Sequence, residues 1–172
     1  QSKQTPRNLP SIEEAKNKME RVPDKVFSAY HSESERVSFF ITNAGLYVTG
    51  NRESLLCPSN LRSPGYLDVS VAAQLHKFPK VIDWPVTKPK ILGIGLSPKH
   101  AVAWDVDGNL YSWGKNEYGC LGINNNLLRN FDSVTEVEPV VVVKGTKIAT
   151  AFAFDGITLA ITYQGKVFYW GR

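Results

Sequence analysis

Residues 108–122 read Gly108-Asn109-Leu110-Tyr111-Ser112-Trp113-Gly114-Lys115-Asn116-Glu117-Tyr118-Gly119-Cys120-Leu121-Gly122. Just before them, Val102-Ala103-Trp104-Asp105-Val106-Asp107 supplies an apolar run. An apolar strand, a tight turn containing glycine and an aromatic strand closed by glycine make a β-hairpin. The same grammar occurs at Phe39–Gly50 and at Leu159–Gly171. The closing glycines Gly50, Gly114 and Gly171 follow one another at intervals of 64 and 57 residues. Each repeat opens on a lysine–apolar pair: Lys25-Val26, Lys90-Ile91 and Lys147-Ile148. A unit of that length, built of short strands, is one propeller blade with its connections. A lone hairpin is marginal in water, so each unit needs neighbours over its apolar faces. The expected fold class is all-β: a partial β-propeller of about three blades, preceded by a short helix.

That helix is read from residues 1–24, which are polar and carry Pro6, Pro10 and Pro23. Ser11-Ile12-Glu13-Glu14 fits a capping box, and Pro23 stops the run. Ile12, Ala15, Met19 and Val22 share one narrow face, which suits a helix lying on its own protein better than a partner-binding arm. Residues 25–172 are read as the propeller segment, with repeats at about 25–57, 90–122 and 147–172 and inter-blade insertions at 58–89 and 123–146. Within Asn51–Pro89, Val69–Phe78 carries a weak helical signal; Ile123–Ser133 includes three consecutive asparagines. Such insertions are where function tends to sit on rigid scaffolds.

Composition narrows the function. With 42% hydrophobic and 21% charged residues the chain is of globular type. Twenty basic residues face 16 acidic ones and form no block, which argues against a nucleic-acid partner. Apolar runs such as Val140–Val143 fall far short of the roughly 20 residues of a membrane helix. Cys57 and Cys120 are too few for a disulfide framework and point to a reducing compartment. The sequence begins at Gln1, not Met, with no secretory signal read before it, and the true N-terminus is expected to be missing.

The run Lys90-Ile91-Leu92-Gly93-Ile94, then His100-Ala101-Val102-Ala103-Trp104, then Gly108 to Gly122 resembles a repeat of the regulator of chromosome condensation family. The third repeat matches through Trp170-Gly171. The first has Thr49 in place of the tryptophan. Cys120 replaces the usual glutamine, Ile157 and Val37 replace the usual histidine, and Ser97 and Phe154 replace the usual glycine before it. The resemblance covers about residues 25–172 and implies a ring closed by about seven blades. Three blades leave edges and an apolar face uncovered, so the chain is expected to be part of a longer propeller or to be completed by another chain.

The motif also has a plain physical reading. Gly108 and Gly165 let hairpin turns take positive φ. Gly50, Gly114, Gly119, Gly122 and Gly171 suit a chain that bends sharply on leaving a strand. Trp113 and Trp170 supply large apolar area for packing against the adjacent blade.

No catalytic constellation stands out. Gly93-Ile94-Gly95-Leu96-Ser97-Pro98 fails the dinucleotide fingerprint at Pro98, and the run ending in Lys99 fails the nucleophile-elbow pattern. His31, His76 and His100 lack metal-ligand spacing. Asp105 and Asp107 read as a solvated turn pair. No metal and no cofactor is expected.

The resemblance implies a partner-binding face made by Ser97, Pro98, Lys99 and His100 in the second repeat and by Phe154 and Asp155 in the third. On the residues alone, His100 reads as a strand-start histidine bonded to nearby backbone. The leading expectation is a protein–protein interaction scaffold. The alternative implied by the resemblance is a guanine-nucleotide exchange factor for a Ran-like small GTPase. Cytoplasm or nucleus is the expected location, with the mitochondrion as the alternative.

Overall fold

The computed structural model describes residues 25–51, 54–58, 80–82, 84, 89–123 and 133–172. The helix expected before Pro23 and the helical signal at Val69–Phe78 lie outside the described residues.

Among the described residues, eleven strands follow in chain order. They are β1 (Val26–Ser32), β2 (Val37–Thr42), β3 (Gly45–Gly50), β4 (Lys80–Val81), β5 (Ile91–Leu96), β6 (His100–Asp105), β7 (Leu110–Lys115), β8 (Ser133–Pro139), β9 (Ile148–Phe154), β10 (Ile157–Thr162) and β11 (Val167–Gly171). They form three antiparallel sheets, ordered β1-β2-β3-β4, β5-β6-β7-β8 and β9-β10-β11. Each expected hairpin is present: β2 with β3, β6 with β7 and β10 with β11. The stretches expected to be inter-blade insertions each carry the outer strand of a blade, β4 in 58–89 and β8 in 123–146.

The sheets pack face to face in chain order. Side chains alternate between the two faces of a strand, so a sheet covered on both sides is buried along its whole length. The second blade shows this, since His100 to Ala103 in β6 and Leu110 to Gly114 in β7 are buried without a break. Ala101, Ala103, Tyr111 and Trp113 join Phe39, Ile41, Leu46 and Val48 of the first blade in one core. Val102 and Leu110 join Ile148, Ala151, Ala153 and Ala160 of the third blade in another, with Trp104, Phe168 and Trp170 at its margin. Among the described residues, the third blade is covered on one side only. In β10, Thr158, Ala160 and Thr162 are buried while Ile157, Leu159 and Ile161 are half-buried.

Two seams repeat one device. The Trp113 indole N–H donates to the Leu56 carbonyl at 2.8 Å, and the Trp170 indole N–H donates to the Cys120 carbonyl at 2.9 Å. Each tryptophan thus fills a seam and anchors its strand to the loop of the preceding blade. Trp113 is fully buried, and truncating such a side chain costs about 3–5 kcal/mol.

The closing glycines have a shared cause. Gly50, Gly114 and Gly171 have φ of 119°, 108° and 109°. A Cβ on them would lie 2.2, 2.5 and 2.2 Å from the carbonyl oxygens of Arg36, Lys99 and Gly156, which precede the facing strands. Only glycine fits that approach. Gly95 serves a different contact, because a Cβ there would meet the Ala153 nitrogen at 3.0 Å and the Ala151 oxygen at 3.1 Å. It lets the first strands of the second and third blades touch backbone to backbone. The turn glycines Gly108 and Gly165 take φ of 77° and 80°, as expected.

Candidate functional site

The β5–β6 turn, the loop after β7 and the β9–β10 turn meet at one end of the second and third blades. The Ser97 side chain builds the first turn. Its Oγ accepts the backbone N–H groups of Lys99 at 3.2 Å and His100 at 3.0 Å. The Ser97 N–H closes the turn on the His100 carbonyl at 2.9 Å.

Below the turn, His100 bridges the two blades. Its Nδ1 lies 2.9 Å from Ser97 Oγ, and its Nε2 lies 2.9 Å from Thr158 Oγ1. The Thr158 hydroxyl donates its one proton to the Cys120 carbonyl at 2.7 Å. Thr158 must therefore accept from His100, which puts the proton of the neutral imidazole on Nε2 and leaves Nδ1 bare, while the Ser97 hydroxyl donates to the His100 carbonyl at 3.0 Å. Burial depresses the His100 pKa to about 4, against a weaker opposing pull from the carboxylates of Asp155 and Glu117. His100 starts the second strand of its blade, and its ring bonds to side chains, where sequence reasoning expected nearby backbone. Ser97 and His100 are 4% and 0% exposed, so these two expected contact residues sit beneath the surface they were expected to form.

Above them lies a charged cluster. Lys99 Nζ is 2.8 Å from Glu117 Oε2 and 3.0 Å from Asp155 Oδ1, and Lys115 Nζ is 2.7 Å from Glu117 Oε1. Lys99 thereby joins the second blade to the third. Hydrogen bonds from Lys115 and Lys99 hold the Glu117 carboxyl below its ordinary range, and those to Glu117 and Asp155 raise the Lys99 ammonium. The loop carrying Glu117 is held by Asn116, whose Oδ1 accepts the Leu121 N–H at 3.1 Å.

Beside the cluster, Tyr118 is exposed in a left-handed conformation, φ 54° and ψ 23°. That backbone region is uncommon outside glycine and asparagine and marks functional sites more often than ordinary loops. The Arg172 guanidinium lies 5.5 Å from the Tyr118 ring centroid. Pro98 is exposed, and Phe154 is exposed and stacked on Phe152 at 6.5 Å. Of the expected residues, Lys99 and Asp155 are in contact, with Pro98 and Phe154 flanking them. Glu117, Tyr118 and Lys115 were missed. The only signal for them was a charged and aromatic pair inside a glycine-rich loop.

The opposite end of the blades differs from expectation. Asp105 is buried, and its carboxylate accepts from the N–H groups of Asp107 and Asn109, the Asn109 amide and the Tyr111 hydroxyl at 2.8–3.0 Å. It is a turn brace, and Asp107 alone is solvated. A concavity of about 890 Å³ opens there between the 105–109 turn and the 139–146 connection, and none of the expected contact residues lines it. Among the described residues no cluster of histidine, cysteine and carboxylate groups could hold a metal ion, and no helix is long and apolar enough to cross a membrane.

Residues 107–161 match the family described as regulator of chromosome condensation (RCC1) repeat. The chain is 36% identical over 74 residues to the ultraviolet-B receptor UVR8 of Arabidopsis thaliana, which is 43% of this chain and 16% of the receptor. Human WBSCR16 superposes with a TM-score of 0.63 at 17% identity, covering 88% of this chain and 34% of that one. Yeast RCC1 (Prp20), solved with Kap60 bound, superposes with a TM-score of 0.62 at 22% identity, covering 85% and 32%. The chain thus spans a minor share of each relative's length. Residues 107–161 thus match one repeat of this family, and the fold is a partial β-propeller.

Proposed function

We propose that this chain, bearing regulator of chromosome condensation repeats on a partial propeller, is a protein-interaction module. Its contact surface is the loop face of the second and third blades. The observation that carries the reading is the cluster of Lys99, Glu117, Asp155 and Tyr118: charged and aromatic, held by buried bonds beneath, and spanning two blades. Preorganised polar groups around an exposed aromatic anchor suit protein recognition. Pro98 and Phe154 form its rim. Yeast RCC1, which shares the fold, was solved with another protein, Kap60, bound to it.

The second reading, nucleotide exchange on a Ran-like small GTPase, is favoured by Asp155, an exposed acid on this face. Release of a fluorescent guanine nucleotide from a panel of small GTPases separates the two. Acceleration that disappears in Asp155→Ala establishes exchange; partner capture without acceleration, lost in Tyr118→Ala, establishes the module. If neither substitution affects any partner while the fold is kept, both readings fail. The nucleus or cytoplasm is part of this proposal, whereas no observation stands behind the mitochondrial alternative. The domain limits expected above, with the propeller at 25–172, belong to the same proposal.

A further inference from the structure

The two ends of the blades treat their lysines differently. At the loop end Lys99 and Lys115 meet Glu117 and Asp155 within 3.0 Å. At the turn end the lysine that opens each blade is held by its backbone. The carbonyls of Lys25, Lys90 and Lys147 accept the N–H groups of Asn43, Val106 and Tyr163, one from each hairpin turn, at 3.3, 2.9 and 3.2 Å. Lys25 and Lys166 lay their ammonium groups over Phe27 and Phe168, 5.2 and 4.8 Å from the ring centroids. Lys90, Lys144 and Lys147 do not, and among the described residues none of the three is paired with a carboxylate.

These three lysines, scattered in sequence, gather at the concavity between the second and third blades. Lys90, just before β5, and Lys144, in the 139–146 connection, line it. Lys147 stands beside it: its Cα is 2.9 Å from where Gly108 would carry a Cβ, and its Nζ donates to the Asp107 carbonyl. Two carboxylates oppose them. That of Asp105 is buried and already accepts four hydrogen bonds, so Asp107 is the exposed one. Three ammonium groups against two carboxylates leave the site positive. Its walls are partly apolar, with Pro89, Pro139 and the exposed Val106 and Val141. At Gly145 a Cβ would meet no atom within 4 Å, so bare backbone faces open space there. A volume of about 890 Å³ suits a small molecule. Lysine binds phosphate oxygens as a mobile point charge. Each exposed ammonium contributes little alone, which favours a ligand that engages several at once.

We propose that this concavity is a binding site for a small soluble organic polyphosphate, held by Lys90, Lys144 and Lys147. The carbon skeleton of the ligand lies against Val106 and Val141, and the Asp107 carboxylate opposes its charge. The site is at the opposite end of the blades from the protein-contact surface and is independent of that reading.

The probe is inositol trisphosphate, titrated calorimetrically into the full chain. Saturable one-to-one binding is expected, about tenfold weaker in Lys90→Ala/Lys144→Ala. Lys25→Ala/Lys166→Ala removes the same charge from the same end but away from the concavity, and should change affinity less than about twofold. Asp107→Asn relieves the repulsion and should tighten binding about threefold. All of these positions are exposed, so the fold is kept. Three results overturn the proposal: no saturation up to about 1 mM; equal weakening by the two double variants, which would show only a general attraction to a basic end; or weaker binding in Asp107→Asn. A lipid headgroup is the other source of the same chemistry. The chain should stay in solution with phosphatidylcholine vesicles carrying phosphatidylinositol bisphosphate, and co-sedimentation lost in Lys90→Ala/Lys144→Ala would overturn the soluble ligand in favour of the headgroup.

Discussion

Thr158→Val perturbs the seam at its most connected atom. Thr158 Oγ1 is fully buried, accepts the His100 Nε2–H at 2.9 Å and donates to the Cys120 carbonyl at 2.7 Å. Valine keeps the shape and removes both bonds. The Cys120 carbonyl retains the Trp170 indole N–H, so its loss is partial. The Nε2–H has no such reserve and is left buried and unpaired. A net bond is worth about 1 kcal/mol, and a stranded buried donor costs about 1–3 kcal/mol, so the total should reach about 2–4 kcal/mol. Urea denaturation of the wild-type chain and the variant, read at equal m-value, measures it. Adding His100→Phe to both completes a double-mutant cycle, in which a coupling of about 1–2 kcal/mol is expected between these contacting residues. A loss under about 0.5 kcal/mol, or a coupling near zero, would refute the seam described above.

Three further outcomes follow from the same geometry. His100 is neutral with its pKa depressed from 6.5 to about 4, so the unfolded chain binds its proton more readily across that interval. Its contribution is complete above pH 6.5 and is lost as pH falls toward 4, on the order of 3 kcal/mol in all; a pH series of denaturation midpoints should lose this slope in His100→Phe. Trp170→Phe removes the donor to Cys120 and should destabilise by about 1–2 kcal/mol with no change in overall fold by circular dichroism. Gly95→Val places methyl groups against the Ala153 nitrogen and the Ala151 oxygen, and should cost about 1–3 kcal/mol while lowering hydrogen-exchange protection first in β9.

What the sequence revealed and what it hid have the same physical source. The hairpins were legible because their determinants are local and recur: Gly50, Gly114 and Gly171 stand where a facing carbonyl leaves no room for a Cβ, and Trp113 and Trp170 precede two of them. The outer strands were not. Ser133–Pro139 alternates with charged residues and ends in proline, as an edge strand does, so it read as connection. His100 and Thr158 are 58 residues apart, and nothing in the neighbourhood of either announces their bond. Asp105 looked solvated because the four groups that saturate it converge only once the turn closes. Lys99 and Asp155 were expected on one face and lie 3.0 Å apart, yet Glu117, which ties Lys99 into the second blade, lies in a loop whose course is set by the Asn116 side chain.

The central claim is that the loop face of the second and third blades, not the turn face at the other end, meets the partner. A photo-crosslinking amino acid at Tyr118, compared with one at the exposed Val106 on the opposite end, tests it directly. The account predicts a discrete adduct from position 118, abolished by Asp155→Lys in the same chain, and none from 106. An adduct from 106 alone, or equal adducts from both positions, would contradict it.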